Sequence, residues 1–126
     1  MVQKDAGTVL VVDDEPVVLR LMTRILHRAG YQVVPARDGS EAPALAKAAH
    51  GGVDVAILDV TVPPGGAVAT MQVLRREHPG LGMVLTSGDA LSPAQRTFLE
   101  QCGGRFVPKP FSPADLLGAV EAVNSR

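Results

Sequence analysis

The chain has no tryptophan, only three phenylalanines and one tyrosine, and a single cysteine, Cys102. So few aromatic rings argue against a base-stacking platform for single-stranded nucleic acid. One cysteine cannot form an internal disulfide, which is compatible with a reducing cytosol. Charge of one sign is missing too. Twelve basic residues stand against 13 acidic ones, a formal net charge of -1, so no global field recruits nucleic acid or an anionic membrane surface. No apolar run approaches membrane-spanning length, and the first residues lack the apolar stretch of a signal peptide; the expected location is cytoplasmic. Repeats, linkers and low-complexity tracts are not found. The 126 residues, 46% hydrophobic and 20% charged, read as one globular domain, 1–126, with residues 1–7 as a loose amino-terminal tail.

What is present is an alternation. Five apolar runs, at 8–12, 31–35, 54–58, 82–86 and 105–108, read as strands, and stretches with helical spacing separate them. The runs are continuous rather than alternating, as expected of strands covered on both faces. One helical stripe is Val18, Leu21, Met22, Ile25 and Leu26; a weaker one is Val68, Met71, Val73 and Leu74; another is Leu116, Leu117, Val120 and Val123. Ser92-Pro93-Ala94-Gln95 and Ser112-Pro113-Ala114-Asp115 each offer a capping hydroxyl, a proline at the first helical position and a polar group three residues on. Pro16 sits just inside the first helix, Asp38-Gly39 forms a turn, and Ser40 is the expected cap of the second helix. The predicted fold is α/β: (βα)5, a doubly wound five-stranded parallel sheet in the flavodoxin-like order 2-1-3-4-5.

The strand ends carry the chemistry. Val9-Leu10-Val11-Val12 runs into Asp13-Asp14, and Val55-Ala56-Ile57-Leu58 into Asp59. Met83-Val84-Leu85-Thr86 runs into Ser87, and Arg105-Phe106-Val107-Pro108 into Lys109-Pro110. A carboxylate at the end of a buried strand is costly unless something uses it. In the order 2-1-3-4-5 the first and third strands meet at the switch point, so the three acids should gather there. Three carboxylates, a hydroxyl and an amine suit a divalent cation and a phosphoryl group.

Each group has an ordinary alternative. Acids are favoured at a helix amino terminus, Asp59 could open a turn before Pro63-Pro64-Gly65-Gly66, and a lysine is normally solvated. His27, His50 and His78 lack metal-ligand spacing and read as surface residues. Cys102, before Gly103, reads as a small packing residue.

Taken in order, Val-Val-Asp13-Asp14-Glu15-Pro16, Leu58-Asp59-Val-Thr61-Val-Pro63, Thr86-Ser87-Gly88 and Phe106-Val-Pro-Lys109-Pro110-Phe111 resemble the receiver domain of two-component response regulators, the CheY-like family, over essentially the whole chain. The resemblance implies that Asp59 accepts a phosphoryl group. It implies magnesium (Mg2+) bound by Asp14 and Asp59 directly, by Asp13 mainly through water, and by the backbone carbonyl of Thr61. Ser87, with Thr86 as its neighbour candidate, would contact the phosphoryl group, and Lys109 would bind it across a cis Lys109-Pro110 peptide. Phe106 would be the switch aromatic, and Thr61 and Asp89 would tune autodephosphorylation.

The implied function is a phosphorylation-activated signalling switch. It is no enzyme beyond its own phosphotransfer and autodephosphorylation. The implied partners are a sensor histidine kinase or histidine phosphotransfer protein, and a downstream protein at the face of the fourth helix, fifth strand and fifth helix. Direct contact with nucleic acid or membrane is not expected, and a homodimer is open. Kinase specificity would sit at Val17, Arg20, Leu21 and Arg24. The Thr61-Val-Pro63 loop and Thr86-Ser87-Gly88 look like receivers at the carboxyl end of hybrid sensor kinases, so a stand-alone regulator and an excised receiver both stay open. Two rivals remain: a non-phosphorylated pseudo-receiver, and a phosphohydrolase of the haloacid-dehalogenase type. The second would want an acid two residues after the nucleophile, where Thr61 stands. Pro63-Pro64 and Ala67-Val68 depart from the family's usual loop, and Phe106 lacks the hydroxyl of the commoner tyrosine.

Overall fold

The structure is a computed structural model that describes residues 6–124. Ten elements alternate: β1 (Thr8–Val12), α1 (Pro16–Arg28), β2 (Gln32–Ala36), α2 (Ala42–Ala48), β3 (Val55–Asp59), α3 (Ala67–Glu77), β4 (Gly82–Ser87), α4 (Pro93–Cys102), β5 (Arg105–Pro108) and α5 (Pro113–Val123). All strand pairs are parallel and the sheet order is β2-β1-β3-β4-β5, as the sequence predicts. Side chains alternate along each strand, and two cores result. Leu10, Val12, Ala56, Leu58, Met83 and Leu85 face α2, α3 and α4. Val9, Val11, Val55, Ile57, Val84 and Val107 face α1 and α5.

Three strands differ from their predicted bounds. β2 begins at Gln32 because Tyr31 still belongs to the end of α1, its N–H bonded to the Leu26 carbonyl at 3.1 Å. β3 begins at Val55 because Asp54 turns its carboxylate back to accept the Thr8 N–H at 2.9 Å. β3 and β4 each run one residue further, to Asp59 and Ser87, so the functional groups are the last residues of the ladder rather than the first of the loops.

Both serine capping boxes form, Ser92 with Gln95 and Ser112 with Asp115. Ser40 is not the cap of α2. Glu41 occupies that position without a side-chain cap bond. The Asp38 carboxylate instead accepts the N–H groups of Ser40 and Glu41 and the Ser40 hydroxyl, at 2.9, 3.0 and 2.6 Å. The α1 stripe is narrower than predicted: Met22, Ile25 and Leu26 are buried, whereas Leu21 is 49% exposed. Leu21 lies about 100° around the helix from Met22 and so leaves the buried face. His78 is half-buried rather than on the surface, with Nε2 enclosed. The expected loose tail stops short of its last two residues: the Ala6 N–H bonds the Gly30 carbonyl, and the Gly7 carbonyl accepts the Gln32 N–H. Residues 1–5 lie outside the described residues.

Two close approaches fix how helices and loops sit around the site. Gly82 lies against the Val123 carbonyl, where any Cβ would collide, and this seats the end of α5 on β4. Gly39 lies against the Thr70 hydroxyl, and its N–H donates to the Pro63 carbonyl at 2.6 Å. The β3–α3 loop is thereby tied to the β2–α2 turn.

Candidate functional site

The carboxyl edge of the sheet holds a cluster of charges. Asp13 follows β1 and is fully buried; Asp59 ends β3 and is 4% exposed; Asp14 is exposed at the rim. Each offers a carboxylate oxygen within 4.8 Å of the others. Lys109, leaving β5, reaches across β4 and β3 into this group. Its Nζ stands 2.9 Å from Asp13 Oδ2, 3.2 Å from Asp59 Oδ1 and 3.2 Å from Glu15 Oε1. Alternation explains the meeting. Asp13, Asp59 and Lys109 continue the odd-numbered faces of Val11, Ile57 and Val107, which all point toward α1 and α5.

Burial and charge act against each other here. Burial pushes the Asp13 carboxyl up, opposed by the Glu15 N–H on Oδ1 and by Lys109, while the Asp59 charge adds to the rise. For Lys109, burial pulls the other way, but the hydrogen bond and charge of Asp13, then the charge of Asp59, overcome it and push the amine up to about 12. The ammonium therefore stays charged and acts as an internal counter-ion. An all-oxygen donor set that already draws in a cation fits a small hard divalent ion such as Mg2+.

The remaining sequence-predicted residues are close by. The Thr61 hydroxyl donates to Asp59 Oδ2 at 2.5 Å. Asp59 thus has one oxygen held by Thr61 and the other by Lys109. The loop that carries Thr61 is closed by three backbone bonds: Val62 N–H to the Asp59 carbonyl, Gly66 N–H to Val62 and Ala67 N–H to Val60. Its Pro63-Pro64 peptide is cis, as is Lys109-Pro110. Ser87 is 3% exposed, and its Oγ accepts the Asp89 N–H at 3.0 Å. By alternation Ser87 shares the face of Leu85, where half-buried Phe106 also packs. Thr86 points to the opposite face and is fully buried.

Two features went unread in the sequence. Glu15 joins the cluster through Lys109, a contact signalled only by its place beside two acids. Thr61 contributes its hydroxyl, where the sequence pointed to its backbone carbonyl, and nothing in the spacing distinguishes the two. A shallow cleft lined by Val18, Leu21, Lys109, Pro110 and Phe111 lies beside the cluster. Val17, 69% exposed, precedes it on α1. Arg20 and Arg24 are likewise exposed. No helix among the described residues is long and apolar enough to cross a membrane.

Similarity to known proteins agrees with this geometry. Residues 9–121 match the family described as Response regulator receiver domain. The chain is 37% identical over 120 residues to the probable transcriptional regulatory protein TcrX of Mycobacterium tuberculosis, covering 94% of this chain and 50% of that protein. It is 33% identical over 116 residues to the sensor kinase CckA of Brucella abortus, covering 92% of this chain and 12% of the kinase. The chain thus spans half or less of these relatives. Among solved structures, the chemotaxis protein CheY4 of Vibrio cholerae superposes with a TM-score of 0.82 at 29% identity, covering 93% of this chain and 98% of that one. Fold, charged edge and similarity converge, and the chain belongs to the response regulator receiver domains of two-component signalling.

Proposed function

We propose that this receiver is a switch that takes a phosphoryl group onto Asp59 from a phosphohistidine of a sensor kinase or phosphotransfer protein. The observation that carries the reading is Lys109, held between two buried carboxylates that face one point at the sheet edge. Phosphoryl transfer needs positioning and charge neutralisation more than covalent help, and this edge supplies both.

Asp13, Asp14 and Asp59 would hold Mg2+ with the Thr61 carbonyl, and the bound ion would supply positive charge to the phosphoryl oxygens. The remaining work falls to the chain. Asp59 is oriented by Thr61 and Lys109, so one carboxylate oxygen attacks phosphorus while the phosphorus–nitrogen bond to the donor imidazole breaks. The product is an acyl phosphate. Lys109 exchanges a carboxylate oxygen for a phosphoryl oxygen. Ser87 gives up the Asp89 N–H and turns its hydroxyl to the phosphoryl group. Phe106, on the same face, follows into the space released, and α4, β5 and α5 present a changed surface. Thr61 and Asp89 border the path of the hydrolytic water and set the lifetime. The donor docks over the exposed Val17, Arg20, Leu21 and Arg24, next to the cleft of Pro110 and Phe111. We place the chain in the cytoplasm as a single domain whose output lies in another polypeptide segment or partner.

The test is intact-protein mass after incubation with Mg2+ and acetyl phosphate, with Asp59→Asn alongside. One base-labile phosphoryl group on the parent, missing from the variant and missing without Mg2+, is expected. No gain under any condition, or an equal gain in the variant, overturns the reading and leaves an unphosphorylated interaction module.

A further inference from the structure

Thr86 is a buried group beside the site to which the mechanism gives no role. It is 0% exposed, and among the described residues its Oγ1 has no hydrogen-bond partner. An unsatisfied buried hydroxyl is unfavourable, and isosteric valine would avoid the cost. Its location is specific. Thr86 lies in register with Asp59 on β3 and with Val107 on β5. In parallel pairs, residues in register point to the same face. Val84, two residues earlier, shares the core of Ile57 and Val107, so Thr86 stands beside Asp59 and beneath the stem of Lys109. Ser87 points to the opposite face.

We infer that Thr86 is a positioning residue whose hydroxyl donates to Asp59 during phosphoryl loss. The inference rests on Asp59 being the phosphoryl acceptor. In the resting site both Asp59 oxygens already have donors, Thr61 and Lys109, and Thr86 is spare. In the acyl phosphate, Lys109 moves to the phosphoryl oxygens. During hydrolysis water attacks phosphorus, and the phosphorus–oxygen bond to Asp59 breaks. The electron pair returns to the carboxylate, and the proton of the water leaves with the phosphate. Negative charge therefore grows on Asp59 just when Lys109 is engaged elsewhere. A hydroxyl turned by one rotamer toward that carboxylate bonds more strongly as the charge develops, which speeds the step.

The experiment uses the parent, Thr86→Val and Thr86→Ser, each phosphorylated with acetyl phosphate and Mg2+, then freed of donor and followed by intact mass. Thr86→Val keeps the shape and removes the hydroxyl. Its acyl phosphate is expected to last about fivefold longer, the weight of one hydrogen bond to a developing charge. Thr86→Ser is expected to decay within about twofold of the parent, a rescue that a merely structural role would not produce. Thermal melting should show Thr86→Val at least as stable as the parent. Labelled parent and labelled Thr86→Val that decay alike overturn this inference alone. A parent that takes no phosphoryl group overturns the assignment of Asp59 and this inference with it.

Discussion

Replacing Lys109 by methionine keeps the stem and removes the charge, which isolates the role of the internal counter-ion. In the folded protein the amine is raised from 10.5 to about 12. At about 1.36 kcal/mol per pH unit, that shift corresponds to about 2 kcal/mol of folded-state preference for the ammonium. The variant also leaves Asp13 and Asp59, 0% and 5% exposed at their side chains, without their cation. Breaking a buried pair costs about 3–5 kcal/mol, and the open rim at Asp14 and Glu15 reduces this. A loss of about 2–4 kcal/mol follows, or a fall in Tm of about 10 °C for a chain of this size. Mg2+ should restore much of it, because a divalent ion among the same acids replaces the lost charge, and its gain should exceed that of the parent. The pH dependence has a definite sign. Because the folded amine is raised, its contribution is complete below pH 10.5 and is lost as pH climbs through about 12. The parent should lose stability across that window and the variant should not lose this component. Differential scanning calorimetry at pH 7 to about 12, with and without Mg2+, measures all of this. Equal melting of variant and parent at pH 7 would refute the counter-ion reasoning.

Four further outcomes are expected. Leu21→Glu should slow transfer from a protein phosphodonor at least tenfold while leaving labelling by acetyl phosphate unchanged, because Leu21 is exposed beside the cleft and supports no core; parallel loss of both activities would remove the docking assignment. Ser112→Ala breaks the capping box of α5 and should cost about 1 kcal/mol in urea unfolding, with no loss if the box is irrelevant. Gly82→Ala drives a methyl into the Val123 carbonyl and should cost about 1–3 kcal/mol; an unchanged midpoint would mean that α5 shifts freely. Asp38 sits below its ordinary 3.8 because it accepts the Ser40 hydroxyl and then the Glu41 and Ser40 N–H groups. Its support of the β2–α2 turn is therefore present above pH 3.8 and lost as pH falls through the lower folded value. Asp38→Ala should melt earlier than the parent at pH 7, and a difference that persists unchanged at pH 2 would contradict this.

The fold was legible because its three central strands, β1, β3 and β4, are buried on both faces, so continuous apolar runs separated by capped helices allow few arrangements. Asp13, Asp59 and Lys109 were legible because each follows an apolar run, and the ordinary alternative open to each one alone weakens when all three meet at one sheet edge. Legibility failed where neighbours compete for a local role. Ser40 and Asp38 are both good caps, yet neither caps α2: Asp38 closes the turn before it, and Glu41 takes the cap position. Leu21 and Met22 are equally apolar, yet one turns to solvent because α1 sits on a narrow seam. The ion pair of Glu15 and the hydroxyl bond of Thr61 depend on where a side chain ends, and spacing along the chain does not encode that.

The bond from Gly39 to Pro63 gives the molecule a remote witness of its own chemistry. Thr61 and Pro63 belong to one short span, so any displacement that follows a change at Asp59 pulls on an amide located two elements earlier in the chain. That amide is short-bonded and lies on a buried residue, far in sequence from every charged group of the site. On the proposed function, its nuclear resonance would register phosphorylation of Asp59 without any label placed at the edge itself. The same tether couples the turn before α2, the shortest helix among the described residues, to the β3–α3 loop.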